Sequence, residues 1–146
     1  MSAPLLPTVD ADSRPFFEAA ARGELWIPRC VATRRLVFPP RAFSPFAPGG
    51  SLEWVRVSGR GTIWSYVVPH PPLLPWYAER APYVVLAVAL DEDPLVRVVG
   101  NLVGREGGAI EDVDPRSARI GARVRACFER IGDGIALPRW LLDEGL

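Results

Sequence analysis

The 146-residue sequence predicts a mainly β protein, in which a short N-terminal helix and a small extended appendage precede a five-stranded, partly open barrel. Three observations predict it. In residues 62–68, Ile63, Ser65 and Val67 alternate with Thr62, Trp64, Tyr66 and Val68, the two-residue period of a strand with two faces. Gly59 and Gly61 flank Arg60 just upstream, where a bulge or bend would let the chain change sheets or curl. Five strand-like runs then occupy residues 62–68, 83–90, 95–103, 123–131 and 135–137, with a long break between the third and fourth. An OB-fold carries its long connection at that place.

Each element follows in chain order. Residues 1–12 are rich in proline and small side chains and predict a flexible arm. Asp12 or Ser13 suits a helix N-cap, Pro15 a first turn and Gly23 a stop, so residues 13–22 predict a short helix. Its adjacent Phe16 and Phe17 project differently; one can anchor the helix to its own barrel, or the pair can bridge to a partner. Residues 25–30 and 35–41 predict two extended pieces around a turn at 31–34, and residues 42–51 are too dense in Pro and Gly for regular structure. Such a segment has little core of its own and needs a metal, a barrel face or a partner to hold it.

A short strand at 54–57 leads into the glycine bend. Residues 70–76 form a proline-rich loop, and 83–90 are apolar on both faces, as in a covered strand. Asp91, Glu92 and Asp93 predict a solvated turn. Arg97 and Asn101 are the polar members of the next strand. Val124, Ala126 and Phe128 alternate with Arg123, Arg125, Cys127 and Glu129, and a 132–134 turn makes a hairpin to 135–137, closed by Pro138, Arg139 and Trp140. The organisation expected is an arm (1–12), a helix with its appendage (13–57) and a barrel (58–146).

Composition excludes several classes. A hydrophobic fraction of 49% with five Trp argues for a folded domain, and a formal net charge of +0 offers no whole-molecule attraction to nucleic acid or anionic lipid. All 17 basic residues are Arg. That suits a GC-rich genome, and it also suits bidentate contacts to phosphate or carboxylate that Lys could not replace. The opening residues lack the basic and apolar regions of a signal peptide, and the apolar run at 83–90 is too short to span a bilayer. With Cys30 and Cys127 its only cysteines, the protein is expected to be cytoplasmic.

The order of Pro15-Phe16-Phe17-Glu18, Gly23-Glu24-Leu25, Arg29-Cys30, Phe38-Pro39-Pro40-Arg41, Ser58-Gly59-Arg60-Gly61-Thr62, Pro82-Tyr83-Val84-Val85, Asn101-Leu102-Val103, Ile120-Gly121 and Ala136-Leu137-Pro138 resembles the acyl-CoA-associated OB-fold family, long catalogued as domain-of-unknown-function family thirty-five. The resemblance runs from about Pro15 to Trp140. It implies a helix, a rubredoxin-like zinc ribbon and a C-terminal OB barrel. It also implies a small subunit working beside thiolase-like acyltransferases or steroid side-chain aldolases, or beside MaoC-like enoyl-CoA hydratases, where it helps bind the CoA thioester in a hetero-oligomer.

The sequence departs from that family at the ribbon. The family places a C-x-x-C pair on each of two knuckles; here Cys30 fills the first position, Thr33 stands at the second, and the later knuckle reads Ser44-Pro45-Phe46-Ala47. One thiolate cannot make a tetrahedral structural site. The ribbon is therefore expected to be free of zinc, with Phe38, Phe43 and Phe46 packing the knuckle as a small apolar cluster.

Catalysis by this chain alone is not expected. His70 is the single general-base candidate, set against a loop histidine bonded to backbone. CoA contacts ask for Arg near phosphates and for apolar or aromatic surface. The candidates are Arg41, Arg60 and Arg139 with Trp64, Tyr66, Trp76 and Trp140, each with a plainer role as surface charge or core. Phe16, Phe17, Phe38, Phe43 and Phe46 are the partner-docking candidates. Single-stranded nucleic-acid binding, common among OB barrels, is the alternative, and the neutral charge counts against it.

Overall fold

The computed structural model describes residues 2–144; Met1 at the start of the arm and Gly145 and Leu146 at the end of the barrel segment lie outside the described residues. Helix α1 (Arg14–Ala21) forms with Pro15 in its first turn and ends at Gly23, whose φ of 79° only glycine adopts without strain. Phe16, Ala19 and Ala20, spaced i, i+3 and i+4, are its buried stripe.

Strand β1 (Leu25–Cys30) pairs antiparallel with β2 (Leu52–Val57), Leu25 opposite Val57 and Cys30 opposite Leu52. This differs from the sequence reading, which gave β1 its partner at residues 35–41. The 31–34 turn does form, with Arg34 at φ 63° and its N–H on the Cys30 carbonyl at 2.7 Å, but the return leg keeps only one bridge, Arg29 to Leu36. Pro39 and Pro40 have no N–H to extend a ladder, so the longer partner is supplied from beyond the loop.

The barrel is built from β3 (Arg60–Val67), β4 (Val85–Leu90), β5 (Arg97–Leu102), β6 (Arg123–Gly132) and β7 (Ile135–Leu142). Their order around it is β3-β4-β5-β7-β6, closed by β6 on β3, with every pairing antiparallel except the parallel β5–β7. This is an OB-fold, closed where the sequence predicted it partly open. Closure is narrow, because β5 meets β7 only at Asn101–Arg139 and Leu102–Trp140. The bulge of β3 falls between Ile63 and Ser65, beyond the glycine bend. Gly61 instead lets two backbones approach: a Cβ there would collide with the Ala89 carbonyl oxygen. Strand β7 runs on through Pro138, Arg139 and Trp140, where the residue pattern places its end.

One core crosses from appendage to barrel. Phe16, Leu25, Ile27, Leu36 and Val57 belong to the same buried cluster as Ile63, Leu86, Val98 and Trp140. A second cluster on the outside of the barrel joins Tyr83, Val103, Ile110, Cys127 and Leu141 under Leu73, Trp76 and Tyr77. Trp76 and Tyr77 stand on helix α2 (Pro75–Ala78), a single turn inside the 68–84 loop.

The arm touches the barrel at two places: the Ser2 hydroxyl donates to Glu79 at 2.9 Å, and Leu6 packs against Gly132, its Cδ2 3.1 Å from where a Cβ would sit. One further expectation is corrected. The 91–93 carboxylates are engaged rather than merely solvated. Asp91 takes both guanidinium nitrogens of Arg123 at 2.6 Å, and Glu92 accepts the Ser58 N–H at 2.6 Å. Asp93, only 8% exposed, accepts from Arg35 Nε at 2.8 Å and from the N–H groups of Leu36 and Leu95 at 3.2 Å. Among the described residues no helix is long and apolar enough to cross a membrane.

Candidate functional site

The narrow β5–β7 closure creates the main cleft. Where the two strands diverge, Val99, Gly100 and Asn101 form one wall and Leu137, Pro138 and Arg139 the other, with Tyr77, Tyr83 and Val85 closing the end. Its volume is about 340 Å³, and its lining is largely apolar. The polar groups are held fast. Asn101 donates to the Val84 carbonyl at 3.2 Å and accepts from Arg139 Nη1 at 3.3 Å, while Arg139 Nε bonds Glu129 at 2.8 Å. Arg139 is 5% exposed, so its charge is neutralised within the chain and fixed at the cleft wall.

A second groove, of about 260 Å³, runs between appendage and barrel and is lined by Arg35, Phe38, Arg41, Pro45, Phe46 and Leu95 among others. Phe46 is 42% exposed beneath the Arg35 guanidinium, 4.8 Å from its ring, and Phe43 is 70% exposed beside it in the chain. The apolar knuckle cluster expected of Phe38, Phe43 and Phe46 is therefore not formed. Ser44 turns inward to Cys30, which sends its neighbour at 43 outward, and Phe38 packs the other way, 5.6 Å from Phe16.

The remaining candidates scatter. Phe16 is buried in the chain's own core and Phe17 lies edge-on to it at 5.2 Å, so Phe16 anchors the helix and offers no docking surface. Trp140 is fully buried in the barrel and cannot stack on a ligand. Arg60 pairs with Asp143, Arg41 is exposed in the second groove, and Trp76 is half-buried with the Arg80 guanidinium 3.8 Å from its ring. Trp64 and Tyr66 remain exposed on β3. Arg97, which the sequence reading took only as a polar strand residue, stacks on Trp64 at 3.7 Å with its Nε buried and unpartnered among the described residues. The i-to-i+2 aromatic spacing on β3 gave no hint of a cation from two strands away. His70 is exposed and does not line the cleft.

The cysteines lie apart. Burial pushes the Cys127 thiol up to about 11. At Cys30 the Ser44 and Thr33 hydroxyls, with the backbone N–H groups of Thr33 and Ala32, converge on the sulfur and lower it to about 7. The four positions where a ribbon would hold zinc thus offer one sulfur, two hydroxyls and the methyl of Ala47. That donor set does not fit a structural zinc ion, which takes four Cys or His ligands.

An OB barrel fronted by a helix and a rubredoxin-like ribbon defines the class. Residues 17–52 match the ChsH2 rubredoxin-like zinc ribbon domain and residues 54–129 the ChsH2 C-terminal OB-fold domain, and the chain belongs to this family. It is 40% identical over 107 residues to a probable enoyl-CoA hydratase alpha subunit of Thermomonospora curvata, covering 72% of this chain and 32% of that protein. To the 3-oxo-4,17-pregnadiene-20-carboxyl-CoA hydratase alpha subunit of Mycobacterium tuberculosis it is 32% identical, covering 93% of this chain and 38% of the relative. The chain thus spans about a third of the length of these two relatives. A DUF35 domain-containing scaffold protein of Methanothermobacter thermautotrophicus is 34% identical, with 70% of each chain covered. Among solved structures, a chain of the Ltp2-ChsH2(DUF35) aldolase superposes with a TM-score of 0.77 at 33% identity, covering 94% of this chain and 98% of that one. A DUF35-family protein from Sulfolobus solfataricus, at 13% identity and TM-score 0.57, shares the fold.

Proposed function

We propose that this chain is an accessory, non-catalytic subunit of an acyl-CoA-processing complex, which docks on a thiolase-like acyltransferase or aldolase and helps hold the CoA thioester. The observation that carries this reading is the near full-length likeness to a chain of the Ltp2-ChsH2(DUF35) aldolase. The residues agree with it. The one histidine is exposed and apart from the cleft, both cysteines are buried, and the acidic run of 91–93 is spent on internal bonds. The catalytic groups then belong to the partner.

Phe46 and Leu95, exposed along the groove between ribbon and barrel with Arg41 in its lining, and Phe43, exposed on the same loop as Phe46, supply the apolar contacts of a docking surface. For the thioester, the apolar cleft at the β5–β7 split suits the pantetheine arm or acyl group, and Arg41, Trp64 and Tyr66 are the exposed groups able to reach phosphates or adenine, with Arg60 available only on leaving Asp143. A MaoC-like hydratase is the second reading, favoured by the two relatives named as hydratase alpha subunits, one of which acts on a steroid-type CoA ester by its name. Nucleic-acid binding is disfavoured by the formal net charge of +0, and among the described residues ten of the 17 Arg sit in ion pairs.

The test is reconstitution. The purified chain is mixed with the thiolase-like and MaoC-like enzymes of its own organism, and complex mass and CoA-thioester turnover are measured. Co-elution with the thiolase-like enzyme and faster turnover support the first reading, and co-elution with the hydratase alone supports the second. A chain that stays apart from both and changes neither activity overturns the proposal.

A further inference from the structure

We propose that the ribbon of this chain is a metal-free knuckle: hydroxyl hydrogen bonds and a carboxylate clasp hold the loop that zinc ties in its family, while the four ligand positions remain converged. The donor set is the first ground. Positions 30, 33, 44 and 47 carry Cys, Thr, Ser and Ala, and among the described residues no group of three His, Cys, Asp or Glu lies close enough to hold a cation instead.

The second ground is that the knuckle geometry survives the loss of its ligands. Cys30 and Ser44 are buried side chains of the knuckle, and the turn that carries Thr33 is closed by Arg34 N–H on the Cys30 carbonyl at 2.7 Å, with the Ser44 and Thr33 hydroxyls near the sulfur. Further N–H groups serve the hydroxyls: Phe46 N–H donates to Ser44 Oγ at 3.0 Å and Arg35 N–H to Thr33 Oγ1 at 3.3 Å, the support that backbone gives a ligand atom. Ser44 and Ala47 sit side by side, since a Cβ on Gly50 would touch the Cβ atoms of both, at 3.2 and 3.1 Å. The loop is closed by Ser44 N–H on the Gly50 carbonyl at 3.0 Å and Gly50 N–H on the Ala47 carbonyl at 2.9 Å. Ser44 is buried with its hydroxyl bonded in place and Thr33 meets solvent, so neither needs an ion to satisfy it.

The third ground is a fastening that does not involve the knuckle. Asp93, at the β4–β5 turn of the barrel, binds the side chain of Arg35 and the backbone of Leu36, so the ribbon's return leg is tied to the barrel directly. Arg29 and Glu53 tie β1 to β2 from the other side, at 2.7 Å. Zinc in an isolated ribbon supplies the folding free energy that a small core lacks. Here Phe16, Leu25, Ile27 and Leu36 share the barrel's core, so the segment is folded by burial.

Metal analysis and melting of the full-length chain test this. Protein purified from zinc-supplemented culture is expected to carry less than about 0.1 zinc per chain, and EDTA to move its melting temperature by less than about 1 °C. The triple variant Thr33→Cys, Ser44→Cys, Ala47→Cys is expected to bind about one zinc per chain and to melt higher with zinc than with EDTA. Cys30→Ser, which keeps a hydrogen-bonding atom in place, is expected to melt within a few degrees of the parent whether or not the triple variant folds. Near-stoichiometric zinc in the parent with a melt that EDTA lowers would overturn the proposal. So would a folded triple variant that takes up no zinc, because the four positions would then not be converged.

Discussion

Asp93 gathers donors from three residues, two of which the local sequence does not reveal: Arg35 and Leu36 lie nearly 60 positions upstream, and only Leu95 is near. Burial works against its charge, yet the bonds from Arg35, Leu95 and Leu36 outweigh it and hold the carboxyl below its ordinary value of 3.8. Asp93→Asn should lower the unfolding free energy by about 2 kcal/mol in urea at pH 7. Most of that is the buried Leu36 N–H, with the half-buried Leu95 N–H, losing a charged acceptor; Arg35 is 38% exposed, so solvent screens its share. Because the folded value is the lowered one, the contribution is full above about pH 4 and fades as pH falls through the folded value. The gap between parent and variant should therefore close in acid, and a gap unchanged at pH 2 would contradict the assignment. The acidic run 91–93 reads as a solvated turn for this reason: its three acids are satisfied by Arg123, Ser58 and Arg35, all distant in sequence. The all-Arg composition was more telling, since Arg123 grips Asp91 with two nitrogens as bidentate pairing requires. Those partners are internal carboxylates.

Strand β7 shows what local rules miss at the element scale. Proline ordinarily ends a ladder, so Pro138 reads as a stop; in the barrel it stands just before β5 pairing begins at Arg139, so its missing N–H takes no bond from the β5–β7 ladder. The divergence of the two strands there opens the cleft, so neither the strand's length nor the site could be read from the hairpin pattern. Strands β3 to β6 were legible because alternation and turn residues agree with their burial, whereas β1 found its partner across a loop of irregular chain. Gly61 sets a strict limit on β3. Gly61→Ala should cost about 2 kcal/mol or more in urea unfolding, because its methyl would meet the Ala89 carbonyl and Val88. In the ribbon loop, Phe43→Ser with Phe46→Ser should change stability by less than about 0.5 kcal/mol yet weaken partner binding about tenfold or more by calorimetry. Binding unchanged in that variant would remove the groove from the docking surface.

At the scale of the molecule, helix, ribbon and barrel share one core, which lets the ribbon present Phe43 and Phe46 outward while Phe16 and Trp140 hold the interior. A chain arranged in this way carries two separate concave surfaces, a groove of mixed polarity between ribbon and barrel and a more apolar cleft at the β5–β7 split, which the proposed function assigns to a partner and to a ligand. The resemblance in the sequence reached the family and the order of its parts; it could not tell which of its Arg and Trp residues would be left exposed, since that depends on ion pairs and packing set by the closed barrel. The most direct measurement is light scattering on the chain mixed with its thiolase-like enzyme, with turnover of a CoA thioester followed in the same samples. The account predicts a hetero-oligomer whose mass contains both chains and whose turnover exceeds that of the enzyme alone. Two separate species with unchanged turnover, for this enzyme and for the MaoC-like hydratase alike, would contradict it.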